Sequence, residues 1–520
     1  MSQIKRSFRL AVGLAAGAVA GGAGVAYAAA AQADAPIGAF TTNGAYSFKS
    51  APHLHPPKLS TDAPIVAGGL APGYFMIANF KNLTVPAPMV GQGGPLILDS
   101  DLRPVWFNPV GTDVVSTNLH TQTYRGRPAL SWWQGQISNT GATTSGADVV
   151  VDQHYRTVAR LTGQEGWVIS PHEFLISGNT AWVTSYKNIP MDLSPYGGSA
   201  NGILTDSAVQ QYDLGTGRLV RSWDALDHIP LSESEAHAAP VATVPWDAYH
   251  VNSIQLMGHG RFVASMRNTW AGYMVDNTGA IQWRLGGKAS TFAFGADAEF
   301  EWQHDIELHS GGLVSIYDDH CCAILGAGQF AQPTGPSRGL VLKVDMTSRT
   351  AAVQSRYAKG AGFNAAFLGN TQLLPNGNVV VGWGSRPFFS EYTASGKLLL
   401  DAELPGPNLS YRAFVNTWVG SPFFPPSGAV RTVKGKSVVY ASWDGATELA
   451  GWRVLAGANA KHLAPVAHRA TSGFETTIGL TKKYKSFKLQ ALDAKGRVLG
   501  TSKVFAVPKP SSPNTGPGFY

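Results

Sequence analysis

Four histidines recur at one position of a repeated unit. They open His120-Thr-Gln-Thr-Tyr to Gly126, His172-Glu-Phe-Leu-Ile to Gly178, His250-Val-Asn252-Ser-Ile to Gly258, and His304-Asp-Ile-Glu-Leu to Gly311. A fifth copy opens on Asn370 and runs to Gly377. This recurrence sets the four imidazoles apart from His228, His309 and His320, which read as loop residues or hydrogen-bonded core residues. An imidazole with an ordinary pKa of about 6.5 is available at pH 7 as a nucleophile or a proton carrier. After the third copy, the apolar run Phe262-Val-Ala-Ser-Met is interrupted by Arg267, and a charge in such a run calls for an anionic partner. A planar guanidinium holds a tetrahedral oxyanion through two parallel hydrogen bonds, which a lysine cannot reproduce. Imidazoles beside an arginine, without an evident carboxylate pair, suit transfer of a charged oxyanion group better than glycoside hydrolysis.

Other chemistries lack their patterns. There is no G-x-S-x-G elbow, no H-E-x-x-H helix and no G-x-x-x-x-G-K-[ST] phosphate loop. His172-Glu173 has no second histidine four residues on, and the two cysteines, Cys321 and Cys322, are adjacent, so no metal site and no cofactor is expected. The cysteine pair has three possible states: a vicinal disulfide, a link between molecules, or buried thiols.

The elements that position these residues come from a second repeat, in which an apolar run ends at Asp and a Gly turn often leads to Trp. Leu96-Ile-Leu-Asp99 leads to Trp106, and Val149-Val-Val-Asp152 begins the next copy. Asp213 continues through Gly217 to Trp223, and Asp276 continues through Gly279 to Trp283. Val341-Leu-Lys-Val-Asp345 is a fifth copy, and Phe389-Ser-Glu-Tyr392 with Ser395-Gly396 is a degenerate sixth. The steps between aligned positions are 53, 61, 63, 69 and 48 residues, compatible with four strands plus loops. The Asp-x-x-Gly segments read as hairpin turns. The chain is therefore expected to be all-β, a six-bladed β-propeller over residues 41–420. If the histidine units open the innermost strand of each blade, radial symmetry brings His120, His172, His250 and His304 to one end of the central channel.

Composition agrees with many short strands. Charged residues are 14% and Gly reaches 59 of 520, which favours tight turns over helices. Lys5, Arg6 and Arg9 precede the apolar run Leu10 to Ala31, and Ala26-Tyr-Ala28 and Ala31-Gln-Ala33 fit small-residue cleavage sites. Residues 1–33 read as a signal peptide, so the expected location is secreted, periplasmic or cell-surface. Removing those three charges takes the formal net charge from +7 to +4, and no basic run follows, so nucleic acid is not an expected partner. No later stretch is apolar for 18 residues, so no integral membrane segment is expected after cleavage.

Trp246-Asp-Ala-Tyr-His250-Val-Asn252-Ser-Ile, then Ser265-Met-Arg267, then Trp302-Gln-His304-Asp305, together with the proline-rich stretch Ala51 to Leu59, resemble the arylsulfotransferase family of exported propellers over roughly residues 45 to 420. The resemblance implies sulfuryl transfer from a phenolic sulfate ester to a phenolic acceptor, through a sulfohistidine and without an adenosine-phosphosulfate donor. On that pattern His304 matches the nucleophile, while His250, Asn252 and Arg267 match the sulfate-binding and acid/base group. His172 matches a further pocket histidine, and the repeat adds His120 as a substrate-binding candidate. The Cys321-Cys322 pair is not part of that pattern. Tyr249, Trp270, Trp302 and Trp383 are candidate aromatic walls. Two other readings fit parts of the sequence: a quinone-dependent dehydrogenase, with eight blades and a calcium site, and a non-catalytic propeller binding glycans or proteins.

Beyond Ser427 the runs Val438 to Trp443, Gly451 to Ala456, Phe474 to Leu480 and Phe487 to Leu492 alternate as short strands. Residues 427–507 are expected to form a small immunoglobulin or fibronectin III-like β-sandwich. Residues 508–520, rich in Pro, Ser and Gly, are expected to be a disordered tail.

Overall fold

Aspartate-capped hairpin turns recur through the computed structural model, which describes residues 40–508 apart from 63–64, 67, 84, 139–141, 239, 322–323, 327–328 and 331–334. The 1–33 segment and all but the first residue of the 508–520 tail lie outside the described residues. In the repeated turns the Asp carboxylate accepts backbone N–H groups two to four residues ahead: Asp99 from Asp101 and Arg103, Asp152 from His154 and Arg156, Asp276 from Thr278 and Ala280. The side chain thus satisfies donors that a two-strand reversal would otherwise leave open. In the degenerate sixth copy Thr393 does the same work, its hydroxyl accepting the Lys397 N–H.

These turns join the third and fourth strands of six antiparallel sheets, each with four main strands. The innermost strands are β1 (Val115–Tyr124), β2 (Val168–Ser177), β3 (Val251–Leu256), β4 (His304–His309), β5 (Asn370–Leu373) and β6 (Asn408–Asn416). Each touches the next, and β6 touches β1, so the six strands close a ring. Closure joins the two ends of the chain: β6 pairs antiparallel with Tyr74–Lys81, the second strand of the first sheet. The first sheet thus takes its innermost strand from a segment more than 300 residues away, which leaves only short, protected edges around the ring.

The tryptophans of the repeat pack between sheets. Trp223 is 2% exposed, stacks on His228 at 4.8 Å and donates its indole N–H to the Gly279 carbonyl in the turn of the following sheet. Gly178 and Gly258, which end two histidine units, have φ of +62° and +73°, a region in which a side chain would be strained.

The C-terminal segment forms a three-stranded sheet (Ser427–Val433, Lys436–Ser442, Glu475–Gly479) and a four-stranded sheet (Gly451–Asn459, His462–Ala470, Ser486–Leu492, Val498–Thr501). Val439 and Ile478 of one and Trp452, Phe487 and Leu489 of the other share a buried cluster. It packs onto the preceding body: Phe48 lies 4.3 Å from Phe474, Tyr155 donates to the Gly445 carbonyl, and Asp444 accepts the Phe107 N–H. Cys321 is buried and disulfide-bonded, which removes the free-thiol alternative for it; Cys322 lies outside the described residues. No helix among the described residues is long and apolar enough to cross a membrane.

Candidate active site

Four of the inner strands break their ladder at the level of the histidines. The irregularity falls between Thr117 and His120 in β1, Ile169 and Phe174 in β2, Val251 and Ser253 in β3, and His304 and Glu307 in β4. Such breaks re-aim side chains that a regular pleat would send to alternating faces. The backbone bears strain there, since His250 and Asp305 both have φ of +57°, which non-glycine residues seldom adopt.

The breaks bring His172, His250 and His304 together, with one ring nitrogen of each within 4.8 Å of the others. Ring centroids are 4.9 Å apart for His172 and His250, 6.2 Å for His172 and His304, and 6.3 Å for His250 and His304. Each imidazole is fixed through Nδ1. His304 Nδ1 lies 2.7 Å from Asp319 Oδ2, both side chains being almost wholly buried, and His250 Nδ1 lies 2.5 Å from Asp247 Oδ2. His172 Nδ1 lies 3.2 Å from Ser170 Oγ and 3.3 Å from the Tyr186 hydroxyl, which itself donates to the Val251 carbonyl. His304 Nε2 is buried with no hydrogen-bond partner among the described residues.

Burial, joined by nearby positive charge, holds the His172 and His304 imidazoles well below the ordinary value, Arg267 and Arg412 contributing to both. Both rings are therefore neutral at pH 7. The linkage has a definite sign: the unfolded chain takes up protons below about pH 6.5 that the native pocket refuses, so this contribution to stability is full above that pH and is lost as pH falls. With Nδ1–H donated to Asp319, the Nε2 lone pair of His304 is the free nucleophilic position. Burial pushes the Asp319 carboxyl up, and Arg267 opposes that rise. We expect Asp319→Asn to keep an acceptor for Nδ1–H while losing the countercharge, lowering turnover about 10 to 100-fold with little change in thermal stability. Steady-state kinetics beside a melting curve checks this.

Arg267 begins a short turn after the second strand of the sheet built on β3, and its backbone N–H donates to the His250 carbonyl. Its guanidinium lies 4.8 Å from the centroid of Trp302, donating from Nη1 to Asn268 and from Nη2 to the Ala366 carbonyl. Nε is buried and has no hydrogen-bond partner among the described residues. Asn252 donates its amide to the Gln303 carbonyl at 2.7 Å, tying β3 to the residue before His304. A zinc ion held tetrahedrally at about 2.0–2.1 Å needs nitrogens about 3.3 Å apart. The span of up to 4.8 Å and the Arg267 guanidinium, whose Nε has no hydrogen-bond partner among the described residues, suit an anion better.

His120 does not join this group, which corrects the expectation of four imidazoles in one pocket. The break in β1 falls before it, so His120 sits in the regular ladder opposite Ser131. Its Nε2 lies 2.9 Å from the Gln122 amide and 3.3 Å from the Phe174 carbonyl, its ring stacks on Phe414, and burial brings its pKa down to about 4. Of the aromatic candidates, Trp302 and Trp270 pack edge to face at 5.4 Å beside Arg267. Tyr249 and Trp383 are core residues, bonded to the Ile229 carbonyl and to Ser390. Asp247, Asp319, Tyr186, Tyr411 and Arg412 complete the surroundings without having been singled out in the sequence. Arg412 carried the same signal as Arg267, a guanidinium inside the apolar run of a strand.

A family model described as arylsulfotransferase (ASST) matches residues 120–404, more than half of the 520-residue chain. That span includes His120, His172, His250, Asn252, Arg267 and His304 but not Arg412. The comparison with curated proteins found no match. Among solved structures, a protein of unknown function from Bacteroides caccae is 9% identical with a TM-score of 0.38, over 66% of this chain and 98% of that one. The quinohemoprotein alcohol dehydrogenase of Comamonas testosteroni is 13% identical with a TM-score of 0.27, over 75% of this chain and 64% of that one. The Dos1 propeller is 12% identical with a TM-score of 0.26, over 67% and 72%.

Proposed function

The chain belongs to the arylsulfotransferase family, and we propose that it moves a sulfuryl group from a phenolic sulfate ester to a phenolic acceptor through a sulfohistidine at His304. The observation that carries this reading is the buried, unpartnered Nε2 of His304, set among His172 and His250 with Nδ1 held by Asp319. In the first half-reaction the Nε2 lone pair forms a bond to sulfur while the sulfur–oxygen bond to the aryl group breaks, its electron pair leaving on the phenolate oxygen. That oxygen takes a proton from a pocket histidine. His250 is better placed than His172, because Asp247 stands at its other nitrogen and burial keeps His172 neutral. In the second half-reaction the acceptor phenol gives its proton to the same histidine, its oxygen bonds to sulfur, and the nitrogen–sulfur pair returns to His304. Splitting the transfer in this way replaces one difficult step by two easier ones.

By analogy with phosphoryl transfer the transition state is loose, so positioning and charge neutralisation carry much of the rate. Arg267 and Asn252 are the residues for that task, with Trp302 and Trp270 beside the aryl group. The body is read as a six-bladed β-propeller over 41–420 and the C-terminal pair of sheets as an immunoglobulin or fibronectin III-like sandwich over 427–507. Residues 1–33 are read as an export signal, giving a secreted, periplasmic or cell-surface enzyme. The six-sheet ring and the Arg/His pocket favour this over the quinone-dependent reading.

The deciding assay incubates purified protein with a chromogenic aryl sulfate, with and without a phenol acceptor. Acceptor-dependent phenol release is expected. Folded protein that releases nothing over a broad donor panel would instead be a binding propeller. The pH profile supplies a second test. A nucleophile with an ordinary pKa of about 6.5 would keep at pH 6 only about one third of its pH 7 activity. His304, held lower by burial and by the Arg267 charge, is expected to lose almost nothing over that interval.

A further inference from the structure

One buried guanidinium gathers the inner strands that carry the three histidines. Arg412 projects from β6 with 2% of its side chain exposed. Nη1 donates to Glu173 Oε2 at 2.9 Å and to Asn118 Oδ1 at 3.2 Å. Nη2 donates to the Asn252 carbonyl at 3.0 Å and lies 3.3 Å from Asp305 Oδ1. Glu173 follows His172, Asp305 follows His304, and Asn252 comes two residues after His250. Asn118 lies on β1, and the other oxygen of Asp305 accepts the Thr371 N–H of β5 at 3.4 Å. All six inner strands therefore meet at this one side chain, directly or through Asp305.

We propose that Arg412 is a positioning residue, a clamp whose forked donors set the separation of His172, His250 and His304. It needs the guanidinium shape and not the charge alone, since the acceptors lie in four directions and an ammonium on a single stem cannot reach them together. The strained backbone at Asp305 and Asn118, with φ of +57° and +60°, fits this, because both side chains are turned inward to meet the same group. Glu173 and Asp305 bring two carboxylates to one cation, so removing the fork leaves both buried without their partner. Misplacement of reacting groups by about 1 Å costs about 10²-fold in rate. The proposal rests on the sulfuryl-transfer reading for its kinetic arm and on no catalytic assumption for its spectroscopic arm.

The test compares wild type with Arg412→Lys, reading kcat, KM and the imidazole NMR signals of histidine-labelled protein. In Arg412→Lys we expect kcat to fall about 10²-fold with KM within about 3-fold. The signals of His172, His250 and His304 are expected to shift together while that of His462, on the C-terminal sheet, stays in place. A folded Arg412→Lys with unshifted signals overturns the clamp, and so does a fall in kcat that leaves the three signals where they were. Should Arg412→Lys not fold, Glu173→Ala and Asn118→Ala decide. Glu173→Ala cuts the tie to a histidine strand and is expected to lower kcat about 10-fold more than Asn118→Ala, which cuts the tie to β1. Equal losses overturn the proposal. Wild type that transfers no sulfuryl group sinks the functional reading alone, since the shifts of the three signals still test the clamp.

Discussion

His304→Ala is expected to abolish acceptor-dependent phenol release, with turnover down about 10⁴-fold or more, the scale seen when a covalent nucleophile is removed from a preorganised site. His304 is the pocket imidazole whose buried Nε2 has no hydrogen-bond partner among the described residues, with Asp319 at its other nitrogen. Donor labelled with ³⁵S gives a sharper readout than rate, because wild type should carry protein-bound label when acceptor is withheld and His304→Ala should carry none. Alanine also leaves a cavity beside a buried carboxylate, so a loss of activity there has two explanations. His304→Asn separates them: its side-chain N–H is attached at Cγ, as the imidazole Nδ1–H is, and can still be donated to Asp319, so it should be as inactive as alanine while unfolding at nearly the wild-type temperature. Retained labelling in either variant would move the nucleophile to another residue.

Arg267 carries the second large effect. Its guanidinium lies over Trp302, with Nη1 and Nη2 engaged by Asn268 and the Ala366 carbonyl, while Nε has no partner among the described residues. The bonds to the protein fix the plane, and the remaining donor capacity is available to sulfuryl oxygens as charge builds on them. Loss of one such donor in a water-poor site typically costs about 10² to 10³-fold in kcat. Arg267→Ala is expected at the upper end of that range. Arg267→Lys should recover less than about 10-fold of the loss, because an ammonium neither stacks on the indole in the same way nor presents parallel donors. Steady-state kinetics with donors of graded leaving-group acidity checks the assignment. If Arg267 acts on the transferring group, its removal should lower kcat for good and poor leaving groups alike. If the loss grew steeply as the leaving group became poorer, Arg267 would instead be acting on the departing oxygen.

Much of this arrangement is legible in the chain because it depends on local rules. The Asp of five outer turns bonds N–H groups two to four residues ahead, so its periodic return marks those hairpins without knowledge of the fold. His172, His250 and His304 open one repeated sequence unit, and Arg267 breaks an apolar run, a pattern that a paired or ligand-facing charge explains. His120 carried the same sequence mark and lies elsewhere. Its displacement comes from a register break one step earlier in β1, and such a break depends on how two strands pair, which no spacing along one strand records.

What only the tertiary structure decided is the set of partners drawn from distant parts of the chain. Asp319 lies 15 residues beyond His304, and Arg412 reaches Glu173 across 239 positions. The ring is closed by β6, which carries Arg412, pairing with a strand near the other end of the chain. By itself the sequence determined an all-β chain of repeated hairpins, with four histidines and an arginine as the candidates for oxyanion chemistry, since turn propensity and strand periodicity act over a few residues. Which imidazole keeps a free nitrogen, and which carboxylate holds it there, depends on closing a ring of six sheets, where burial strips away water and leaves each polar atom only the partners the fold brings to it.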